Sequence, residues 1–149
     1  KAVRRPVTEE GVDFGFVGDP VMVGNEILTR LVSDGFVPVI SPITHDGQGQ
    51  LLNTNADTVA SEIARAMSPD FEVTLTYCFE KEGVLDGKGN IIESINPVRY
   101  SSLKEEGIVS GGMLPKLDNA FSALNAGVHN VRITSASAPE GGTLITLKS

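Results

Sequence analysis

The stretch LLNTNAD, residues 51–57, decides how the rest of the chain is interpreted. It places Asn53, Asn55 and Asp57 at alternate positions, directly before apolar residues at helical spacing. The spacing predicts a helix over residues 57–67, and a helix start offers unpaired backbone N–H donors and a partial positive charge. Asn and Asp are also favoured as plain N-caps, so these residues alone leave a cap and a binding cluster both open.

Predicted strands and helices alternate on both sides of this stretch. Upstream, we expect a charged lead-in or linker over residues 1–10, a hairpin over 13–23 that turns at 18–20, a helix over 25–33, and a short buried strand over 36–40. Asn25 is the predicted cap of that helix and Gly35 its C′ residue. Pro38 places the strand at a sheet edge or at a strand end.

The downstream half continues the alternation. We expect strands over residues 72–78, 130–134 and 143–147, a helix over 97–106, and a further helix that follows Lys116 and ends at Gly127. Asn96 and Pro97 are a favourable cap and first position. The order favours an α/β sandwich around a largely parallel sheet. Ligands of such sheets bind beyond the carboxyl ends of strands, where the loops 41–57 and 79–90 are expected.

Composition excludes some classes of partner. The net charge of −7 argues against non-specific binding to nucleic acid or to an anionic membrane. The single cysteine, Cys78, allows no intrachain disulfide, which favours a cytoplasmic setting. No apolar run approaches the ~20 residues of a membrane span, and no signal peptide is visible. The chain begins with Lys1, so we expect a fragment or a processed product.

A second polar helix start offers candidate chemistry. Ser110, Gly111 and Gly112 precede Lys116, an arrangement typical of an anion cradle, although a glycine pair before a helix is often only a turn. A Walker A pattern is absent. His45 and Asp46 form a pair that we interpret as a turn, since no G-x-S-x-G elbow accompanies it. Two histidines and one cysteine make a zinc site improbable, and we predict no protein-held metal.

Several blocks occur in a recognisable order. They are FGFVGD, GFVPVISPI, LLNTNADTVASEIA, EKEGVLDGKGN and GIVSGGMLPKLDNAFSALNAGV, within residues 13–133. In this order they resemble the carboxyl-terminal half of acetylglutamate kinases, of the amino acid kinase family. The resemblance implies a three-layer α/β/α sandwich around a mainly parallel sheet, with only the carboxyl-terminal lobe present. It also implies a single nucleotide-binding domain over residues 1–149, without the amino-terminal substrate half.

The implied activity is ATP-dependent phosphorylation of the side-chain carboxylate of an N-acyl-L-glutamate, in arginine biosynthesis. By the resemblance, Asn53 and Asn55 contact the acylated substrate, Asp57 positions catalytic lysines, and Lys116 neutralises charge on the transferred phosphoryl group. Mg²⁺ is held mainly by the phosphates of ATP. The residues that would contact the nucleotide are Glu80, Lys81, Gly83, Val84, Leu85, Ile108, Gly111, Gly112, Met113 and Lys116.

Departures from the family pattern carry expectations of their own. FEKEG at residues 79–83 replaces the usual T-D-V-x-G, which makes nucleotide contacts there less certain. SASAPE is too short for the family's further helix, so we expect no arginine-feedback site of that type. The family's amino-terminal glycine-rich loop and second catalytic lysine are missing, so we expect this chain to be inactive alone. The full-length parent is expected to be a homo-oligomer.

Other readings of the sequence stay open. The chain could be a non-catalytic module that binds nucleotide or another partner, or a kinase of the same fold that acts on another amino acid. The acyl group is also undetermined: acetyl is the family default, and a larger group such as succinyl is an alternative.

Overall fold

A computed structural model describes residues 1–148 of the chain. Contacts within the chain divide it into two compact units, residues 1–67 and residues 68–149. Each unit contains helices together with strands, so the α/β class is confirmed. The expectation of one nucleotide-binding domain over the whole chain stays a prediction.

The first unit is built from two small antiparallel sheets and two helices. Its elements are β1 (Ala2–Arg4), β2 (Gly18–Pro20), α1 (Asn25–Ser33), β3 (Ile43–His45), β4 (Leu51–Asn53) and α2 (Ala56–Met67). Strand β1 pairs with β2, and β3 pairs with β4. Helix α1 packs on α2, and α2 also contacts β2. The buried apolar side chains of this unit are Ala2, Leu52, Ala64 and Met67.

The amino-terminal region corrects two sequence predictions. Residues 18–20, expected to be a turn, form β2, because they pair with residues 2–4 of the expected lead-in. Gly18 suits this position, since a Cβ there would lie 2.8 Å from Leu52 Cβ. The predicted hairpin over residues 13–23 is therefore wrong, and pairing between distant segments overrides the local turn signal.

Helix α1 confirms one predicted end and corrects the other. It begins at Asn25, with Gly24 as the N-cap and no side-chain cap, so Asn25 is not the cap. Gly35 has a φ of +83° and its N–H bonds to Val32 O, as expected of a glycine that ends a helix.

The predicted buried strand over residues 36–40 is also wrong. The segment is assigned to no strand, and Phe36, Val37 and Val39 are exposed. The apolar run has the composition of a strand, but it pairs with no strand of residues 1–148.

The second unit contains a four-stranded sheet with the order β5-β7-β8-β6. Its strands are β5 (Thr74–Phe79), β6 (Ser94–Ile95), β7 (Asn130–Ser135) and β8 (Thr143–Ile145). Strands β5 and β7 are parallel, as are β6 and β8, while β7 and β8 are antiparallel. This four-stranded sheet is therefore mainly parallel, as predicted, and its one antiparallel pair is β7 with β8.

Two helices complete this unit, α3 (Pro97–Glu105) and α4 (Met113–Asn125). Asn96 caps α3 as predicted: its Oδ1 accepts the N–H of Arg99 at 2.8 Å. Helix α4 packs on β7 and β8 and buries Leu117, Ala120, Ala123 and Leu124. Gly127, at a φ of +101°, follows its last turn, again as predicted.

Candidate functional site

A cavity of about 740 Å³ lies at the carboxyl end of β5 in the second unit. Phe79 and Ser135, the last residues of β5 and β7, are paired in register, so the two parallel strands end together. The cavity is lined by Cys78, Phe79, Glu80, Lys81, Gly83, Ser110, Met113, Lys116 and Ile133. This is the position in which α/β sheets bind ligands.

Helix α4 supplies the positive charge of the cavity wall. Lys116 lies in its first turn and is half-buried, with Nζ 3.5 Å from the centroid of the Phe79 ring. A cation over an aromatic face is attracted by the ring quadrupole, so Phe79 holds the ammonium group at the cavity. The charge and the helix start both favour an anion at this wall.

The turn before α4 matches the expected cradle in part. Gly111 has a φ of +53°, which favours glycine, and its carbonyl accepts the N–H of Leu114. The Ser110 carbonyl accepts the N–H of Met113 at 3.2 Å. Gly112 is the N-cap and no side chain caps this helix. A phosphate could therefore approach the backbone closely at this turn.

The loop after β5 is fixed to β8 rather than free at the surface. The N–H of Val84 donates to the buried Thr143 Oγ1 at 2.8 Å, and the Val84 side chain is itself buried. A Cβ on Gly83 would lie 2.9 Å from the same Thr143 oxygen, so only glycine fits there without a shift. Leu85 forms an isolated bridge with Ile91.

Half of the predicted nucleotide-contacting residues line the cavity: Glu80, Lys81, Gly83, Met113 and Lys116. The others lie beside it in the chain and are not among its lining residues; they are Val84, Leu85, Ile108, Gly111 and Gly112. Val84 is placed to hold the loop rather than to contact a ligand with its side chain. The assignment of all ten to nucleotide stays a prediction.

The polar stretch at residues 53–57 lies in the first unit. Asn53 ends β4, where its N–H donates to Phe16 O at 2.8 Å and its side chain is exposed. Asn55 caps α2, since its Oδ1 accepts the N–H of Thr58 at 3.0 Å and lies 3.3 Å from the Thr58 hydroxyl. Asp57 is half-buried in the first turn of α2. Of the two open interpretations, the cap is confirmed for Asn55.

Sequence reasoning missed Thr54, which lies between these residues. Its side chain is buried, and Oγ1 donates to Gly18 O at 3.1 Å and lies 2.8 Å from Thr44 Oγ1. The hydroxyl of Thr54, directly after β4, thus joins this end of β4 to both β2 and β3. It fixes the polar stretch against both two-stranded sheets of the first unit. Sequence reasoning also missed Cys78 and Phe79 as lining residues; Cys78 ends the strand predicted over 72–78, and Phe79 begins the loop predicted over 79–90.

His45 ends β3 and Asp46 begins the turn that leads to β4, so the expected turn role is confirmed for Asp46 alone. Asp46 Oδ1 accepts the N–H of Gln48 at 2.7 Å and that of Gln50 at 3.2 Å. The bond from Gln48 is the main cause of the lowered pKa of Asp46, because backbone donors stabilise the carboxylate.

Residues 1–148 contain no group of three or more His, Cys, Asp or Glu side chains placed to hold a metal ion. No helix in this part of the chain has the length and hydropathy needed to cross a membrane.

Fold and cavity together define an α/β protein with an anion-favouring site beyond the ends of parallel strands. The sequence model of the amino acid kinase family matches residues 5–135. The chain belongs to the amino acid kinase family, and the resemblance noted from the motifs is confirmed.

Among curated relatives, it is 51% identical to an acetylglutamate kinase of Bacteroides fragilis, over 97% of this chain and 57% of the relative. An acetylglutamate kinase of Cytophaga hutchinsonii is 52% identical, over 89% of this chain and 51% of the relative. The chain therefore spans little more than half the length of these relatives.

Solved structures agree on the fold. N-acetylglutamate synthase from Neisseria gonorrhoeae, in complex with coenzyme A and L-arginine, superposes with a TM-score of 0.84 at 21% identity, over 99% of this chain and 36% of the synthase. Carbamate kinase from Giardia has a TM-score of 0.63 at 18% identity, over 89% of this chain and 50% of that kinase. At these identities the likeness shows the fold alone.

Proposed function

We propose that this chain is the nucleotide-binding part of a phosphotransferase that moves the γ-phosphoryl group of ATP to the side-chain carboxylate of an N-acyl-L-glutamate. The observation that carries this proposal is the cavity of about 740 Å³ at the end of β5, with Lys116 on its wall. The names of relatives about 50% identical, acetylglutamate kinases, support the reaction class and favour acetyl over a larger acyl group.

The residues of the cavity fit the phosphates of a nucleotide. Lys116 on the wall brings a full positive charge, and Gly111 and Gly112, in the turn before α4 beside the cavity, would let an anion approach the backbone. Phosphoryl transfer relies on positioning and on neutralising charge that spreads over the equatorial oxygens, which is the role proposed for Lys116. Mg²⁺ enters with ATP as part of the substrate and is held mainly by its phosphates.

The polar stretch is proposed to serve the acceptor. Its carboxylate is already anionic, so the transfer needs no general base from the protein. Asn53 carries an exposed amide suited to hydrogen-bond an acylated amino acid. Asn55 Oδ1 already accepts a hydrogen bond from the N–H of Thr58. We therefore propose that Asn55 contacts the N-acyl-glutamate substrate through its amide nitrogen. Asp57 is proposed to position cationic catalytic side chains.

Setting and assembly follow the same family resemblance. We infer a cytoplasmic location, and a homo-oligomeric state for the complete protein of which this chain covers the nucleotide part. We also propose that no arginine-feedback site of the family's helical type lies between β7 and β8, where residues 136–142 contain turns and bends.

Calorimetric titration with MgADP and with a non-hydrolysable ATP analogue tests the nucleotide site. Lys116→Ala is expected to weaken binding by about tenfold or more, because it removes a charged contact to phosphate. Lys104→Ala is the matched control: Lys104 is also on a helix and over an aromatic ring, with Nζ 4.9 Å from the Tyr100 centroid, but it does not line this cavity. Equal losses in both variants would contradict the assignment.

The reaction is tested in a chimera, in which this chain replaces the matching segment of the Bacteroides fragilis relative. We expect phosphorylation of N-acetyl-L-glutamate by the chimera, and its loss in Lys116→Ala but not in Lys104→Ala. A chimera that melts cooperatively and binds nucleotide, yet phosphorylates neither N-acetyl- nor N-succinyl-L-glutamate, would contradict the proposed reaction.

A further inference from the structure

The start of helix α4, which carries Lys116, has few side-chain constraints of its own. No side chain caps the helix, and its first turn contains no acidic residue. Helix ends without a side-chain cap are less stable and fray more readily. The position of Lys116 therefore depends on contacts that α4 receives from outside, in addition to the contact between its ammonium group and the Phe79 ring.

Helix α3 provides such a contact through Tyr100. The Tyr100 side chain is buried, and its hydroxyl donates to Asp118 Oδ1 at 2.6 Å. The same hydroxyl lies 3.4 Å from the carbonyl oxygen of Leu114. The ring stacks on Phe121, with the two centroids 5.2 Å apart. One side chain of α3 thus contacts three successive turns of α4.

These contacts fix the rotation of α4 about its own axis. Leu114, Asp118 and Phe121 follow the four- and three-residue spacing of a single helix face. Lys116 is two residues from both Leu114 and Asp118, about 200° around the helix, so it lies on the opposite face, where it lines the cavity. A rotation of α4 by one residue, about 100°, would carry the ammonium group off the Phe79 ring.

We propose that Tyr100 is a positioning residue of the nucleotide site: its hydrogen bond to Asp118 sets the rotation of α4 and thereby holds Lys116 at the cavity. The proposal rests on the proposed function, in which Lys116 meets the phosphates of the nucleotide. Tyr100 does not itself line the cavity, so it acts through Lys116. A hydroxyl bonded to a carboxylate suits this role, because charge-assisted hydrogen bonds are short and about twice as strong as neutral ones.

Nuclear magnetic resonance can measure the position of Lys116 without nucleotide. The Cε protons of Lys116 adjoin an ammonium group that lies 3.5 Å from the centroid of the Phe79 ring. Protons over the face of an aromatic ring resonate upfield, so these protons report whether the lysine stays on the ring. In protein labelled with ¹³C at lysine Cε, the Lys116 signal is identified by its loss in Lys116→Ala.

Two variants break the hydrogen bond from either side. Tyr100→Phe keeps the ring and removes the hydroxyl, and Asp118→Ala removes the acceptor at an exposed position where the fold is expected to tolerate the change. Both should move the Lys116 signal toward the value of a lysine in free solution. Ser101→Ala is the control: it also removes a hydroxyl from α3, but that hydroxyl donates to Pro97 O within the same helix.

Nucleotide affinity gives a second readout. Tyr100→Phe is expected to raise the Kd for MgADP about threefold or more, because it removes one hydrogen bond that positions Lys116. In a Lys116→Ala background the same change should have no further effect, since Tyr100 acts through Lys116. Asp118→Asn keeps an oxygen acceptor and should restore most of the affinity lost in Asp118→Ala.

Three outcomes would overturn the proposal. The first is an unchanged Lys116 signal in Tyr100→Phe and Asp118→Ala variants that melt cooperatively. The second is an equal rise in Kd with and without Lys116, which would give Tyr100 a merely structural role. The third is an Asp118→Asn variant that binds MgADP no better than Asp118→Ala. Failure of the unaltered chain to bind MgADP would contradict the proposed function instead, and the lysine signal would still decide whether Tyr100 positions Lys116.

Discussion

Residues 1–67 and residues 68–148 differ in how far they enclose their apolar side chains. In the second region, Ile95, Leu103, Leu117, Val131 and Ile145 are fully buried. In the first region the buried apolar residues are Ala2, Leu52, Ala64 and Met67. Most of the large exposed apolar residues of the described chain also belong to the first region.

This difference in burial shows that an apolar sequence pattern combines two separate properties: whether a side chain is to be covered, and which part of the polypeptide covers it. Apolar periodicity shows that a side chain is to be covered, but it does not show whether the cover comes from the same segment of chain. In the second region α3, α4 and the sheet provide the cover themselves. In the first region residues 36–40 have the apolar pattern of a core strand, yet they form no strand, and Val37 and Val39 are exposed.

The largest contrast is expected between Leu103→Ala and Ile27→Ala. Leu103 is fully buried on α3, so its truncation should lower the free energy of unfolding by about 2–5 kcal/mol. Ile27 on α1 is 69% exposed, so its truncation should change that free energy by no more than about 0.5 kcal/mol.

Urea unfolding followed by two signals makes this comparison. Circular dichroism reports both regions, whereas tyrosine fluorescence reports only the second, because Tyr77 and Tyr100 are the two tyrosines and the chain has no tryptophan. If Ile27→Ala lowered the free energy of unfolding as much as Leu103→Ala does, the two regions would enclose their apolar side chains equally well.

Substitution of alanine at Gly142 and at Gly89 tests how tightly the second region is packed around these two positions. Gly142 and Gly89 share a φ of +85°, so alanine carries the same backbone cost of about 1–2 kcal/mol at both. At Gly142 the new Cβ would also collide with Ile133 O and lie 2.7 Å from Thr134 Cβ, whereas at Gly89 it meets nothing within 4 Å. Gly142→Ala should therefore lower the urea midpoint by clearly more than Gly89→Ala. Equal shifts of the urea midpoint would mean that the atoms around Gly142 move aside for a Cβ at little cost in free energy.

A smaller effect is expected from the buried hydroxyl that holds the loop beside the cavity. Thr143→Val removes the acceptor of the Val84 N–H and leaves a buried donor unpaired, at a cost of about 1–3 kcal/mol. Thr143→Ser keeps the oxygen and serves as the control. Urea unfolding gives the stability difference, and calorimetry with MgADP shows whether the loosened loop also weakens binding. Equal stability of the two variants would remove Thr143 as the anchor.

The smallest effect concerns ionisation of Tyr100. Burial and the 2.6 Å hydrogen bond to Asp118 Oδ1 raise the pKa of Tyr100 to about 12. The unfolded value is near 10, so the unfolded chain loses its proton first and stability should fall as the pH rises from 10 through 12.

Ultraviolet titration of a Tyr77→Phe variant isolates Tyr100. Asp118→Asn should lower the pKa of Tyr100, while burial should still keep it above 10. Titration near 10 in the folded chain would mean that this part of the second region is as open as the first.

Sequence reasoning succeeded where local chemistry determines the structure. Asn96 and Pro97 start α3, Gly127 follows α4, and the β-branched runs form β5 and β7. It failed at β1 and β2, because three-residue strands depend on a partner far away in the chain and residues 18–20 have the composition of a turn. At residues 36–40 the strand prediction failed, because the segment pairs with no strand of the described chain and is exposed.

For the candidate site, as for the fold, the sequence predicted the local features and not those that depend on packing between distant segments. Lys116 and the glycines before it were recognisable because an anion cradle has a local signature. The position of Phe79 under the Lys116 ammonium group was not, since it depends on how β5 and α4 pack. The anchoring of Val84 by Thr143 joins residues 59 positions apart and has no local signal.

The wall of the cavity also carries the chain's only cysteine. Cys78 is exposed and lines the same cavity as Lys116. A fluorophore attached there would sit within the site on an unmutated chain and would be the sole attachment point. Each nucleotide analogue could then be ranked from a single optical signal, and a bulky adduct joined through a disulfide would block the cavity reversibly.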